Sequence, residues 1–255
     1  MFLKNCLFFT NSLNESENMK EILQEPISHY VNKYGIRVSQ LDRIIIGSKY
    51  SAVQLKNGHI GVCSNLKKKF DVDIVELQNP DLENINHRVI ITAYFNALLN
   101  YDNEYKRTTD IFDKINFKNI NNLVMIGMFK PILKRFKESK IKVSVFDMRD
   151  NTNEALPYKK EMEYVAKADA LILTSTSIFN GTFMDIIKNS KESCRIFLLG
   201  PSTIMNTDMF SYKNIKCIFG SVFNRFDERV LDTISKGEGT RKFLPFGKKV
   251  FLQFL

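Results

Sequence analysis

The spacing of hydrophobic and polar positions changes character near residue 120. Before that point the chain carries short, β-branched runs set around tight turns. Residues 36–46 hold Ile36, Val38 and Ile44-Ile45-Ile46 and lead into Gly47. Residues 50–55 alternate, Asn57-Gly58 follows, and residues 59–63 return. Asn-Gly between two such runs is a strong hairpin signal, because both residues accept the positive φ that a tight hairpin turn demands. The pattern predicts an antiparallel meander. Residues 89–101 switch to helical spacing, with Ala93, Ala97 and Leu98 on one face. Ahead of the meander, an irregular lead precedes a helix over about residues 15–34, interrupted or capped near Pro26.

After residue 120, apolar runs of strand length occur at 123–126, 143–146, 170–173, 196–199 and 215–219. Helical segments lie between them at 131–139, 159–166, 182–189 and 225–235, and residues 205–210 allow a short helical turn. Strand alternating with helix predicts a parallel α/β sheet. Pro131 suits the first turn of a helix, where its missing N–H costs nothing. The tail, residues 243–255, either adds an edge strand or packs back. The expected fold is therefore α/β, with a smaller N-terminal α+β domain over residues 1–100. A Rossmann-like parallel sheet follows over residues 101–255.

Candidate chemistry collects at strand ends. The run 196–199 stops at Gly200-Pro201-Ser202-Thr203, and the run 170–173 stops at Thr174-Ser175-Thr176-Ser177, followed by Asn180-Gly181-Thr182. Parallel strands point their carboxyl ends to one edge, where ligands bind in open α/β sheets. These two loops and Gly220 are read either as one ligand crevice or as ordinary turn chemistry, since the same residue types dominate turns. Asp147 ends the second strand of the alternating region, where an acidic residue binds a ribose hydroxyl or caps a helix. Asn96 sits inside an apolar helix, and its amide needs a partner: a domain contact or a ligand.

Composition narrows the classes. The net charge of +9 comes mainly from scattered lysines, with Lys67-Lys68-Lys69 the one tight basic run. No reading helix or aromatic platform accompanies it, which argues against nucleic acid. Cys6, Cys63, Cys194 and Cys217 form no C-x-x-C pair, so zinc-knuckle and thioredoxin motifs are excluded. His29, His59 and His87 lack H-E-x-x-H spacing. Gly127-Met128-Phe129-Lys130-Pro131 stands where a dinucleotide fingerprint would be, and no P-loop occurs. Residues 1–10 are apolar but too short to span a membrane, and they lack the pattern of a signal peptide. The expectation is a cytoplasmic protein.

Taken in order, several segments resemble the family described as putative heavy-metal chelation. They are Tyr50-Ser51-Ala52-Val53 with Gly58 and Gly61, Ala93-Tyr94-Phe95-Asn96-Ala97-Leu98, and Met125-Ile126-Gly127-Met128-Phe129. Ala168-Asp169 through Thr174 with Asn180-Gly181-Thr182, Leu199-Gly200-Pro201-Ser202-Thr203, Gly220-Ser221-Val222 and Gly237-Glu238-Gly239-Thr240 complete the set. The resemblance spans residues 36–243. It implies an N-terminal domain similar to the enolase N-terminal domain, a Rossmann-like C-terminal domain and a small-molecule site in the cleft between them. The chain departs from the family at Met128, where a His often occurs, and at Asp147, where Glu is common. Loss of that His weakens any metal-ligand or acid–base role there.

The functional expectation is a protein that binds or processes a small anionic or metal-related ligand, a chelator or its precursor. The ligand set expected for the cleft is Asn96, Thr174, Asn180, Gly181, Thr182, Gly200, Pro201, Ser202, Thr203 and Gly220. Asp147 is the candidate for cofactor contact. The cofactor is unnamed, a metal ion or metal chelate being the type implied, and self-association is open. Two other classes stand beside this one: a nucleotide or S-adenosylmethionine-type cofactor enzyme, and a non-catalytic metal-sensing or binding module. An acid–base residue facing the crevice favours an enzyme; a crevice of hydroxyls and amides alone favours binding.

Overall fold

Two sheets organise the chain. A computed structural model describes residues 24–105, 110–148 and 154–254. Helix α1 (Pro26–Tyr34) begins at the proline that the sequence marks, with the Glu25 side chain capping Ser28 N–H; residues 15–23 of the expected helix lie outside the described residues. Strands β1 (Leu41–Ile46), β2 (Tyr50–Leu55) and β3 (Ile60–Ser64) form the antiparallel meander in that order. The turn after β2 uses Gly58 at φ 84°.

Helix α2 (Ile85–Leu99) covers one face of this sheet. Eleven of its fifteen residues are buried, as expected for a helix that is apolar all round. It touches β2 and β3 on one side and the C-terminal half on the other. The approach is very close at Gly61, where an added Cβ would stand 2.0 Å from Ala93 O.

The second sheet is built from β4 (Leu123–Ile126), β5 (Ser144–Phe146), β6 (Ala170–Thr174), β7 (Arg195–Leu199), β8 (Ile215–Phe223) and β9 (Gly247–Gln253). Its order is β5-β4-β6-β7-β8-β9; the first five strands are parallel, and β9 pairs antiparallel with β8 as an edge strand. The tail therefore takes the first of its two alternatives. Helices α3 (Ile111–Lys114), α4 (Lys130–Glu138), α5 (Glu161–Lys167), α6 (Thr176–Asn180), α7 (Phe183–Asn189), α8 (Glu228–Ser235) and α9 (Thr240–Phe243) complete the set.

Both faces of the parallel strands are covered, which is why they read as continuous apolar runs. Met125, Ile172, Phe197 and Phe219 face one way, onto an aromatic cluster that includes Phe117 and Phe136. Val124, Leu171, Leu173, Ile196 and Leu198 face the other way, in one core shared with α2, α5 and α7. Helices α8 and α9 follow β8 in sequence yet return to the meander, packing Val230, Leu231, Ile234 and Phe243 on Ala52, Ile60 and Val62. The arrangement is consistent with a Rossmann-like half joined to an enolase-N-terminal-like half. No described helix is long and apolar enough to cross a membrane.

Candidate functional site

In a parallel sheet, every strand's carboxyl end and the start of every returning helix share one edge. The chain leaves β4 toward β5 on one side and later places β6 on the other, so the strand order reverses between β4 and β6. That reversal opens a crevice at the carboxyl edge. The β4 side is formed by Gly127 and Met128. Gly127 has φ 98°, and a Cβ there would stand 2.7 Å from Thr174 Cβ, so the ends of β4 and β6 are drawn close. Met128 N–H donates to Asp147 Oδ2 at 2.7 Å, which draws the Asp147 carboxylate from the end of β5 over the end of β4.

Glu161 opens α5 and therefore lies at this same edge. It is only 3% exposed, and its carboxylate meets no hydrogen-bond donor or cation among the described residues. Burial first, and the Asp147 carboxylate second, push its pKa up to about 7. Tyr158, just ahead of it, is raised by burial and then by Glu161 and Asp185. A buried carboxyl that exchanges its proton near neutral pH is suited to general acid–base work. Sequence reasoning passed over Glu161, because an acidic residue in a helix's first turn ordinarily complements the helix dipole. Its burial arises only once α5 is laid beside β4 and β5.

On the β6 side, the polar residues form α6 and its flanks. Thr174 and Thr176 hydroxyls lie 3.1 Å apart, and Ser177 Oγ donates to Thr174 O at 2.7 Å. Asn180 Oδ1 accepts from Thr182 N–H and Oγ1, while Gly181 ends α6 at φ 83° with open space where a Cβ would be. Arg88 of α2 holds the far end of α6. Its Nε and Nη2 donate to Phe179 O (2.6 Å) and Ile178 O (2.8 Å), and it pairs with Glu25.

The loop after β7 is differently employed. Ser202 is buried, and its Oγ accepts from Ser64 N–H at 2.9 Å. Thr203 Oγ1 donates to Gly200 O and Phe219 O. Asn96 Nδ2 donates to Val62 O at 2.8 Å and lies 3.4 Å from Pro201 O. Asn100 Nδ2 donates to Thr203 O, and its Oδ1 accepts from Met205 N–H. A Cβ at Gly220 would meet Met205 Sδ at 2.6 Å. Asn96, Pro201, Ser202, Thr203 and Gly220 thus come together as a buried seam between the two sheets. One polar atom there, Asn96 Oδ1, is buried without a partner. Gly200 links this loop to the end of β6: Thr174 pairs with Leu199, and a Cβ at Gly200 would stand 2.5 Å from Ser175 Oγ, while Asn180–Thr182 lie at the other end of α6.

Among the described residues, the soft metal donors do not converge. Cys63, Cys194 and Cys217 are free, buried thiols, each raised by burial. His59 stacks on Tyr101 and shares Nδ1 with Ala97 O. His87 is held by Asp81 N–H and Glu76, and His29 by Asp208. No three His, Cys, Asp or Glu side chains among the described residues are grouped to hold a metal ion. These donors do not fit a resident heavy metal.

The model of a family described as "Putative heavy-metal chelation" matches residues 110–253, more than half of the chain. Two crystal structures of DUF364-family proteins of unknown function share the fold, each with a TM-score of 0.72. The one from Pyrococcus horikoshii is 20% identical, covering 84% of this chain and 93% of that one. The one from Desulfitobacterium hafniense is 19% identical, covering 90% and 97%. No curated protein matches the chain.

Proposed function

This chain belongs to the DUF364 family, described as putative heavy-metal chelation, and on that premise we propose that it binds and processes a small chelator or chelator precursor at the carboxyl edge between β4 and β6, with Glu161 as the proton-exchanging group. The observation that carries this reading is Glu161, a largely buried residue at this edge whose pKa is raised by burial and by the neighbouring Asp147, with no hydrogen-bond donor among the described residues. The family name and fold suggest a metal- or ligand-related role. Because the described cysteines and histidines are dispersed, the metal relation is carried by the ligand and not by a protein-held ion.

Glu161 gives a proton to a leaving group when protonated and takes one from a hydroxyl or ammonium when ionised. An acid–base group works best with a pKa near the working pH. Asp147 favours a positive or proton-donating group beside Glu161. An anionic end of the ligand belongs at the Thr174 and Thr176 hydroxyls, away from the two carboxylates. The buried, unpaired thiols support a reducing compartment, and we propose the cytoplasm.

A second reading, a Rossmann-like cofactor enzyme, draws on Asp147 at the end of the second parallel strand. One of its oxygens is already taken by Met128 N–H.

Native mass spectrometry of purified wild type and Glu161→Gln tests the proposal. The variant should retain an unprocessed small molecule whose mass differs from anything on the wild type. The same adduct on both would leave binding without processing. A nucleotide-mass adduct would favour the second reading.

A further inference from the structure

A hollow of about 240 Å³ lies between α1, the turn that follows it and the end of α2, and it shares no residue with the carboxyl edge. Arg37, Gln40 and Asp102 supply its polar wall; Tyr34, Tyr94 and Leu98 supply most of the rest. The tyrosine hydroxyls are engaged within the protein. Tyr34 donates to Asp208 Oδ2 at 3.0 Å, and Tyr94 accepts from Arg37 N–H at 3.1 Å. The half-buried Tyr34 ring is left as a flank, and the buried Tyr94 forms the floor.

The charged groups are not so engaged. Among the described residues, the Arg37 guanidinium and the Asp102 carboxylate form no ion pair, with each other or with anything else, and the Gln40 amide nitrogen has no acceptor. An unpaired cation and an unpaired anion thus share one small hollow with apolar flanks.

We infer that this hollow binds a free α-amino acid or a similar small zwitterion. The carboxylate meets Arg37 and Gln40, the ammonium meets Asp102, and an apolar side chain rests on Tyr34 and Leu98 above the buried Tyr94. Guanidinium and carboxylate are the complementary, charge-assisted partners for these two groups. Size sets the limit. At about 240 Å³ the hollow is smaller than the roughly 300–1,000 Å³ of sites for drug-sized ligands, so it takes a single amino acid and not a nucleotide. The inference stands independently of the role given to Glu161.

The test is a thermal-shift screen of the full-length protein against the standard amino acids at about 10 mM, followed by calorimetry on the best apolar one. For L-leucine as the probe, leucinamide lacks the carboxylate, 4-methylpentanoate lacks the ammonium and N-acetyl-leucinamide lacks both charges. Arg37→Ala and Asp102→Asn should each weaken L-leucine binding at least about tenfold, equivalent to about 1.4 kcal/mol. Asp102→Asn should also reduce the preference for L-leucine over 4-methylpentanoate. Both residues are surface-exposed and unpaired, so both variants should melt as wild type does. Glu161→Gln should bind as wild type. Binding of no standard amino acid at about 10 mM overturns the inference. So does binding that survives both substitutions, or equal binding of N-acetyl-leucinamide.

Discussion

The loops after β6 and β7 leave neighbouring parallel strands at the same edge, and both are rich in Ser, Thr and Gly. They differ in what their hydrogen bonds join: after β6 the hydroxyls close on α6 and its flanks, and after β7 they also reach the other sheet. After β7, Ser202 and Thr203 use their hydroxyls on backbone groups of the protein, and Asn96 and Asn100 close the same seam from α2. Beside β6, around β4 and the start of α5, the largely buried Glu161 has no hydrogen-bond donor among the described residues. Similar turn chemistry therefore joins the two sheets in one place and closes on itself, near Glu161, in the other. Residue type at a strand end does not separate the two; the partners that each side chain finds do, because buried polar groups are hydrogen-bonded wherever the fold supplies a partner.

Four substitutions sharpen that contrast. The largest effect should come from the contact of α2 with α6. Arg88 is 89% buried at its side chain, pairs with Glu25 and serves carbonyls at the end of α6. Arg88→Ala should lose about 3–5 kcal/mol, the usual cost of breaking a buried pair, read from urea denaturation. A loss below about 1 kcal/mol would show that the α2–α6 contact does not depend on it.

Glu161 should show the opposite behaviour, a cost that depends on pH. Its folded pKa is raised to about 7 from an ordinary 4.5. The fold thus holds the proton more tightly than the unfolded chain does. Stability from this group is complete below pH 4.5, falls as pH rises toward 7 and is flat above. The total change is on the order of 3 kcal/mol. Glu161→Gln should remove that part of the slope, so that the variant gains on wild type between pH 5 and 7.5. Parallel pH profiles would break the contrast.

Ser202→Ala leaves Ser64 N–H buried without its acceptor and should cost about 2 kcal/mol, with no change in pH slope. Gly181→Ala should cost least, about 1 kcal/mol, because its added Cβ meets nothing and only the left-handed backbone opposes it. Calorimetric melting of the two side by side separates lost hydrogen bonding from backbone strain.

Much of the fold was legible in the residues. The apolar runs 123–126, 170–173 and 196–199 fall on β4, β6 and β7 because strands buried on both faces have no polar interruptions. Asn57-Gly58 marked the β2–β3 turn, where Gly58 alone takes the positive φ and Asn57 does not. Helix α6 was not legible: five residues, Thr176–Asn180, are too few for a helical period, and their polar start reads as a turn. Asn96 announced that it needed a partner, but not that Val62 O on β3 would be that partner. Glu161 was opaque for a similar reason. Its environment is assembled by the crossover from β5 to β6, which no local pattern records.

The central claim is that the carboxyl edge keeps one carboxyl poised to exchange its proton near neutral pH. Carbon-13 NMR titration of side-chain-labelled glutamate, with the Glu161 resonance assigned by its loss in Glu161→Gln, measures this directly. The account predicts a midpoint about 7 for Glu161, moving lower when Asp147 is replaced by Asn. A midpoint at the ordinary glutamate value of about 4.3, unmoved by Asp147→Asn, would contradict it.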